Sequence, residues 1–338
     1  MKRPLLQTEN RVGRTYRGGK RLDAFLGKSE CADSFYPEDW ISSFVEAKNK
    51  IYVEGEGISS VISDGVPTPI TDAIGCEDFG IGRKEPGVLV KLLDASERLG
   101  IQVHPTKEFS RRYFGSEHGK TECWHILDAD EDAAVYIGFK EGITRERWRA
   151  LFEAQDIDGM LASLHRMSVK RGDTVLVRSG TPHAIGKGCF LLEIQEPTDF
   201  TMRVEKVTLA GDTLTPMQIH YGAGEEALFD CFIYDGLSEE EARARFFLTE
   251  KAGSGAFASR MLVDHADTPC FALGLLEEGE NITPDSFVTL VFTDGGELLA
   301  GDSSLTVKRG DKVFVPFGLA DVSLIGAKAI ICYPPERS

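Results

Sequence analysis

A sequence unit that occurs twice restricts the fold more than any other feature of this chain. VKRGDTVLVRSGTPHAIG (169–186) and VKRGDKVFVPFGLADVSLIG (307–326) begin with the same five residues, continue with β-branched residues and end at a glycine. Self-similarity of this kind indicates a duplicated structural unit, and short strands separated by glycine-rich turns are typical of a β-sandwich or barrel. We therefore predict two barrels, one ending near Arg203 and one filling roughly residues 257–338.

Helical patterns occur outside the two units. Apolar residues recur at helical spacing within 144–167, and Ser238 lies three residues before Glu241, the pattern of a capping box at a helix start. The prediction is therefore a mostly β chain with helical insertions. Its expected parts are a catalytic domain (1–225), a connecting helical segment (226–256) and a C-terminal domain (257–338).

The charge and the cysteines narrow the class of protein. Asp and Glu (54) outnumber Lys and Arg (38), which gives a net charge of −16. We expect neither nucleic acid nor a membrane as a partner, because both require a basic surface. Seven cysteines without a C-x-x-C pair favour a reducing compartment. With no signal-peptide pattern and no bilayer-length apolar run, we expect a soluble cytoplasmic protein.

Two short segments and the first repeat carry candidate metal ligands. Gln102 and His104 are two apart in a strand-like segment, so their side chains point the same way. Lys120 and Glu122 have the same spacing, and His183 ends the SGTPH part of the first repeat. An amide, two imidazoles and a carboxylate suit Zn²⁺, and Mn²⁺ and Fe²⁺ accept the same ligand types. We interpret the other histidines as structural: His118, His125, His165, His220 and His265.

The repeated unit resembles the second motif of the cupin family. GDTVLVRSGTPH (172–183) follows that motif, with Arg178 in the place of its usual proline and His183 as its metal histidine. The second copy follows it too, but has Asp321 where the histidine is expected. The resemblance implies two jelly-roll barrels, of which the C-terminal one is degenerate and lacks metal ligands.

Four segments in order narrow the resemblance to type I phosphomannose isomerases. They are IQVHP (101–105), GKTECWHILD (119–128), SGTPHAIGKG (179–188) and LEIQEPTDFTMRV (192–204). The similarity covers residues 38–204 well and the C-terminal barrel more loosely. It implies one metal, usually zinc, at Gln102, His104, Glu122 and His183.

The resemblance also implies an activity and a substrate pocket. The activity is metal-dependent interconversion of mannose 6-phosphate and fructose 6-phosphate through a cis-enediol, by a monomer or homodimer that binds a small sugar phosphate. Lys91, Lys120 and Arg203 are expected to line the pocket. Arg203 would stabilise the enediolate, Lys91 would pair with the phosphate, with help from Lys187 or Arg178, and Lys120 or a metal-bound water would carry the proton.

The chain departs from the family around Arg203. Met202 precedes the arginine and Glu205-Lys206 follow it, where relatives have tyrosine and YDY. This leaves open an isomerase or epimerase acting on another sugar or sugar phosphate. Two further alternatives are a sugar-binding cupin without turnover and an iron-dependent cupin dioxygenase.

Overall fold

The computed structural model describes residues 2–49 and 51–337, and strands dominate them. Strands β1–β14 are Leu5–Leu6, Arg11–Val12, Glu38–Ile41, Ser60–Ser63, Val66–Pro69, Leu89–Ala95, Gln102–Val103, Glu122–Ala129, Ala134–Phe139, Leu164–Ser168, Thr174–Val177, His183–Ile185, Cys189–Gln195 and Met202–Arg203. Strands β15–β25 are Phe247–Leu248, Lys251–Ala252, Arg260–Val263, Ala272–Leu276, Asn281–Ile282, Val288–Phe292, Gly296–Ala300, Ser303–Val307, Lys312–Val315, Val322–Ile325 and Ala329–Tyr333. Helices α1–α8 are Lys20–Phe25, Ile70–Ala73, Lys107–Phe114, Arg145–Ala154, Ile157–Ala162, Pro216–His220, Glu225–Asp230 and Glu239–Phe246.

The strands form two pairs of sheets and one hairpin. In the N-terminal half a seven-stranded sheet (β15-β11-β8-β13-β6-β3-β2) packs on a five-stranded sheet (β10-β9-β12-β7-β14). In the C-terminal half a seven-stranded sheet (β1-β23-β20-β25-β18-β17-β16) packs on a four-stranded sheet (β19-β24-β21-β22). The central pairs are antiparallel, which is the double-sheet arrangement of a jelly roll. The predicted mostly β fold with two cupin-type units is confirmed.

The two large sheets share one hydrophobic core. Side chains alternate across a strand, so β13 directs Phe190, Leu192 and Ile194 into a core that also contains Phe287 and Phe314 of the C-terminal half. Its opposite face contributes Leu191 to the core inside the N-terminal half. Burial on both faces explains why β13 reads as a nearly continuous apolar run.

Both copies of the repeat form the same turn. Gly172 and Gly310 have φ of +93° and +87°, a region that favours glycine. Asp173 and Asp311 each close the turn by accepting a hydrogen bond from a backbone N–H three residues earlier. The two turns line a single cavity of about 660 Å³ between the halves. The repeated sequence thus encodes a turn that each unit needs for its own fold.

The helical predictions are partly correct. Helices α4 and α5 occupy 145–162, but Leu164–Ser168 is strand β10 and does not continue the predicted insertion to 167. The strand pairs with β9 and buries Leu164, and this pairing overrides local propensity. Ser238 and Glu241 form the expected capping box of α8.

Strand pairs cross the predicted domain limits, which remain a prediction. Strand β1 pairs with β23 of the C-terminal half, and β15, from the predicted connecting segment, pairs with β11.

Among the described residues, no helix has both the length and the apolar character needed to cross a bilayer.

Candidate metal centre and active-site cavity

Three predicted ligands converge at the ends of neighbouring strands. His104 follows β7, Glu122 begins β8 and His183 begins β12. Their ligand atoms lie within 4.8 Å of one another and all three residues are buried. The Nε2 atoms of His104 and His183 are 3.1 and 3.3 Å from the carboxylate oxygens of Glu122. Residues that are far apart in the sequence therefore form one cluster.

Backbone carbonyls orient both imidazoles. Nδ1 of His104 lies 2.9 Å from the carbonyl oxygen of Phe200, and Nδ1 of His183 lies 2.8 Å from that of Thr181. A carbonyl only accepts, so Nδ1 carries the proton and the Nε2 lone pair faces the cluster. Burial, and then the neighbouring Lys120, lower the pKa of His104 to about 3. The ring is therefore neutral near pH 7, as a metal ligand must be.

The carboxylate of Glu122 provides the test of fit for a metal. Burial alone would raise its pKa, but Lys120 and His104 hold that pKa well below its ordinary value, so Glu122 is an anion. Both of its oxygens are buried and lack a hydrogen-bond partner, although Lys120 Nζ lies 2.9 Å from Oε2. A buried carboxylate with a single lysine as its partner is incompletely compensated. Two imidazoles and this carboxylate fit a divalent cation of the zinc type.

The remaining predicted ligand lies at the same place, and its ligand role remains a prediction. Gln102 pairs in register with His183, and its Nε2 is 3.2 Å from His183 Nε2. Asp321, at the equivalent position of the second repeat, is exposed and accepts a hydrogen bond from Asn281. Within the described ranges, the clustered ligands belong to the first unit only.

A cavity opens beside the cluster. Lys91, Lys120 and Arg203 line it, together with two arginines that the sequence did not single out, Arg14 and Arg98. Arg178 lies outside it and donates to the carbonyl oxygen of Asp267, and Lys187 also lies outside its lining. Their expected help in binding a phosphate remains a prediction, which the lining of this cavity does not support.

Two of the lining cations are paired with buried carboxylates. Lys91 Nζ lies 3.0 Å from Glu193 and over the ring of Trp40. Burial alone would lower the pKa of Lys91, but Glu193 and Glu38 raise it, so this lysine is charged. Arg14 lies 2.9 Å from Glu38 and 3.2 Å from Asp199.

Arg203 differs from the other lining cations. Its Nη1 donates to the carbonyl oxygens of Thr201 (3.1 Å) and Gln218 (2.7 Å). Among residues 2–49 and 51–337 it has no carboxylate within 4 Å. Because Arg203 pairs with Gln102 in the β14–β7 register, its side chain leaves the sheet on the same face as that of Gln102, and both residues line the cavity.

The other histidines bond away from the cluster. Their partners are Glu85 for His118, Thr174 for His125, the carbonyl of Leu237 for His165, the backbone N–H of Gly224 for His220 and the carbonyl of Pro334 for His265. The sequence analysis did not identify Arg14 and Arg98 as cavity residues. Only their contacts with Asp199 and Glu205, which are distant in sequence, indicate that role.

Comparison with known proteins agrees with the motifs. No protein-family model matches the chain. The mannose-6-phosphate isomerase ManA of Bacillus subtilis is 29% identical over 248 residues, 73% of this chain and 74% of that protein. A mannose-6-phosphate isomerase of Streptococcus mutans is 40% identical over 152 residues, 44% of this chain and 46% of that protein.

Solved structures show the same fold over nearly the whole chain. The mannose 6-phosphate isomerase from Bacillus subtilis has a TM-score of 0.75 at 22% identity, covering 98% of this chain and 99% of that one. A putative mannosephosphate isomerase from Archaeoglobus fulgidus has a TM-score of 0.74 at 18% identity, covering 98% and 97%. The chain is thus similar to mannose-6-phosphate isomerases in sequence and in fold, in agreement with the family that its motifs resemble.

Proposed function

We propose that the protein is a metal-dependent aldose–ketose isomerase that interconverts mannose 6-phosphate and fructose 6-phosphate. The names of its relatives support the substrate. The observation that carries the proposal is the buried His104–Glu122–His183 cluster at a cavity that is also lined by Arg203. A Lewis acid held by the cluster and the positive charge of Arg203 would both stabilise the negative charge of an enediolate.

His104, Glu122 and His183 would hold the metal, with Gln102 as the expected fourth ligand and Zn²⁺ as the expected ion. Mn²⁺ and Fe²⁺ accept the same donors. When bound, such an ion polarises the sugar oxygens and so favours removal of the proton on the adjacent carbon.

The remaining chemistry falls to side chains of the cavity. Arg203 lies beside Gln102, and its permanent charge would stabilise negative charge as it develops on the oxygens of the enediolate. Lys120 Nζ lies 2.9 Å from Glu122 and 2.7 Å from His104, next to the same reacting atoms. Lys120 would carry the proton from C2 to C1, while the O2 proton moves to O1. A water molecule in the cavity is the competing carrier.

Formation of fructose 6-phosphate from mannose 6-phosphate, followed in a coupled assay, tests this proposal. We expect turnover that a chelator abolishes and Zn²⁺ restores. Lys120→Met should lower kcat by about 100-fold or more without a matching loss of bound metal. Lys170→Met, at a lysine whose side chain is 80% exposed, is the control. Turnover that persists in metal-free protein contradicts the metal role, and an unchanged kcat in Lys120→Met contradicts the role of Lys120.

We also propose that the protein acts in the cytoplasm. All seven cysteines are free and five of them are buried, which suits a reducing compartment. Burial raises the pKa of Cys123 well above its ordinary value and that of Cys189 to about 12, so these two thiols are protonated and unreactive.

A further inference from the structure

We propose that Arg98 binds the 6-phosphate of the substrate and that Glu205 holds its guanidinium in the required orientation. The inference rests on the proposed function, since it names the residue that recognises one group of that substrate. It also accounts for Glu205, one of the residues at which this chain departs from its relatives.

Arg98 lines the same cavity as Gln102 and precedes it in the chain, whereas His104 of the metal cluster follows it. Arg98 is four residues before Gln102, a separation that extended chain spans in at most roughly 14 Å. Arg203 lies opposite Gln102, and the chain then continues to Glu205, which contacts Arg98. Arg98, Gln102, Arg203 and Glu205 all line the same cavity. A sugar with its first two carbons at the cluster would extend its phosphate toward Arg98.

Within the part of the chain that the structure describes, the hydrogen bonds of Arg98 leave one edge of the guanidinium unused. Nη1 donates to the carbonyl oxygen of Leu99 (2.7 Å) and to Glu205 Oε1 (2.6 Å), and Nη2 donates to Glu205 Oε2 (3.0 Å). A guanidinium has five N–H donors, so Nε–H and one Nη2–H remain, and they lie on the same edge. Two parallel donors of this kind match two oxygens of a phosphate.

Glu205 fixes this orientation without leaving a free negative charge. Its Oε1 also accepts from the backbone N–H of Ile101 at 2.7 Å, and its side chain is only 7% exposed. The carboxylate therefore occupies the Nη1–Nη2 end of the guanidinium and leaves the Nε–Nη2 edge free.

The other lining cations are committed elsewhere. Lys91 and Lys120 are paired with Glu193 and Glu122. All three nitrogens of Arg14 contact Glu38 or Asp199. Arg203 lies at the metal cluster and is assigned to the reacting oxygens.

A hydroxyl supplements the arginine. Thr208 lines the same cavity, and its Oγ1 accepts a hydrogen bond from the backbone N–H of Asp212 at 3.1 Å. The hydroxyl hydrogen therefore remains available to donate. An arginine edge with one hydroxyl donor suits a phosphate monoester in particular.

The test compares Arg98→Lys and Arg98→Ala with the parent enzyme. Arg98→Lys keeps a cation beside Glu205, so that the fold is retained, but removes the two-donor edge. We expect KM for mannose 6-phosphate to rise about 10- to 100-fold, with a much smaller change in kcat. The dissociation constant of inorganic phosphate, measured by calorimetry, should rise by a similar factor. Arg111→Ala, at an exposed arginine paired with Glu117, is the matched control.

The two readouts separate the two proposals. Unchanged KM and unchanged phosphate affinity in folded Arg98→Lys and Arg98→Ala would overturn the phosphate site. A fall in kcat alone would also overturn it, because that pattern indicates a structural effect on the reacting end. If the parent protein binds phosphate but has no isomerase activity, and both variants lose phosphate binding, the proposed function fails and the phosphate site stands.

Discussion

Replacing Arg14 by methionine removes the cation that lies between two buried carboxylates. Glu38 and Asp199 are 4% and 6% exposed, and Arg14 contacts them at 2.9 and 3.2 Å. Methionine has a similar aliphatic stem but lacks the guanidinium, whose Cζ lies 4.9 Å from the centre of the Trp40 ring. The substitution therefore removes the charge together with its ion pairs and this cation–π contact.

The pKa of Asp199 indicates the scale of the effect. Burial alone would raise it, but Arg14 and then Lys91 lower it from the ordinary value of 3.8 to about 2. A lowering of this size corresponds to about 2 kcal/mol. The pKa of Glu38 is lowered as well, with Arg14 as the largest opposing influence to burial. Because the variant leaves two buried anions without their cation, we expect it to lose about 3–5 kcal/mol of the free energy of unfolding at pH 7.

The pH dependence has a definite sign. A carboxylate with a lowered pKa stabilises the folded state above the ordinary pKa, and this contribution is lost as the pH falls from about 4 toward 2. In Arg14→Met the same carboxylates gain from protonation in acid. The difference between parent and variant should therefore be largest near pH 7 and narrow below pH 4.

Urea unfolding at pH 7, 5 and 3.5 measures these differences. Arg260→Met is the matched control, because Arg260 also bridges two carboxylates, Glu250 and Glu277, but is 44% exposed. We expect it to cost no more than about 1 kcal/mol. An Arg14→Met variant that loses as little as the control, or a loss that does not change with pH, would refute this account of the buried pair.

Three further predictions concern other parts of the fold. Lys312→Met leaves the buried Asp39 without its ion-pair partner and should lower the free energy of unfolding in urea by about 3–5 kcal/mol. Adding Asp39→Leu to the same chain should restore most of this loss, and a double variant as unstable as the single one contradicts the prediction. Glu122→Gln should lower the amount of bound zinc measured by mass spectrometry, whereas Asp321→Ala should still bind one ion per chain. Loss of zinc from Asp321→Ala would disprove the single-site interpretation. Ser238→Ala removes the cap of α8 and should cost about 1 kcal/mol, read from the thermal midpoint.

The residues of the metal cluster could be predicted from the sequence because short segments mark them. Gln102 with His104, and Lys120 with Glu122, are two residues apart, strand geometry places such residues on one side, and His183 ends the motif in the first repeat. The strand β10 could not be predicted in this way. Its residues 164–168 follow a helix, and only pairing with β9 makes them a strand.

The charge pairs of the cavity could not be read from local pattern either. Arg14 and Asp199 are 185 residues apart in the chain, and Arg98 and Glu205 are 107 apart. These pairs depend on strand register across the whole N-terminal half, which short-range spacing does not contain. Lys91, in contrast, could be recognised from the sequence, since a lone lysine within the apolar run LVKLLDA requires a partner when it is buried.

The pairing of β1 with β23 has a consequence for synthesis of the chain. Leu5 and Leu6 leave the ribosome first, but their partners, Phe314 and Val313, are among the last residues to be made. Until then the apolar face formed by Phe190, Leu192 and Ile194 is also uncovered. Strand β1 thus waits without its partner and the N-terminal half waits with an exposed apolar face, a state in which chains aggregate or bind chaperones. The C-terminal unit, whose residues complete the shared core, therefore also covers this face of the other unit.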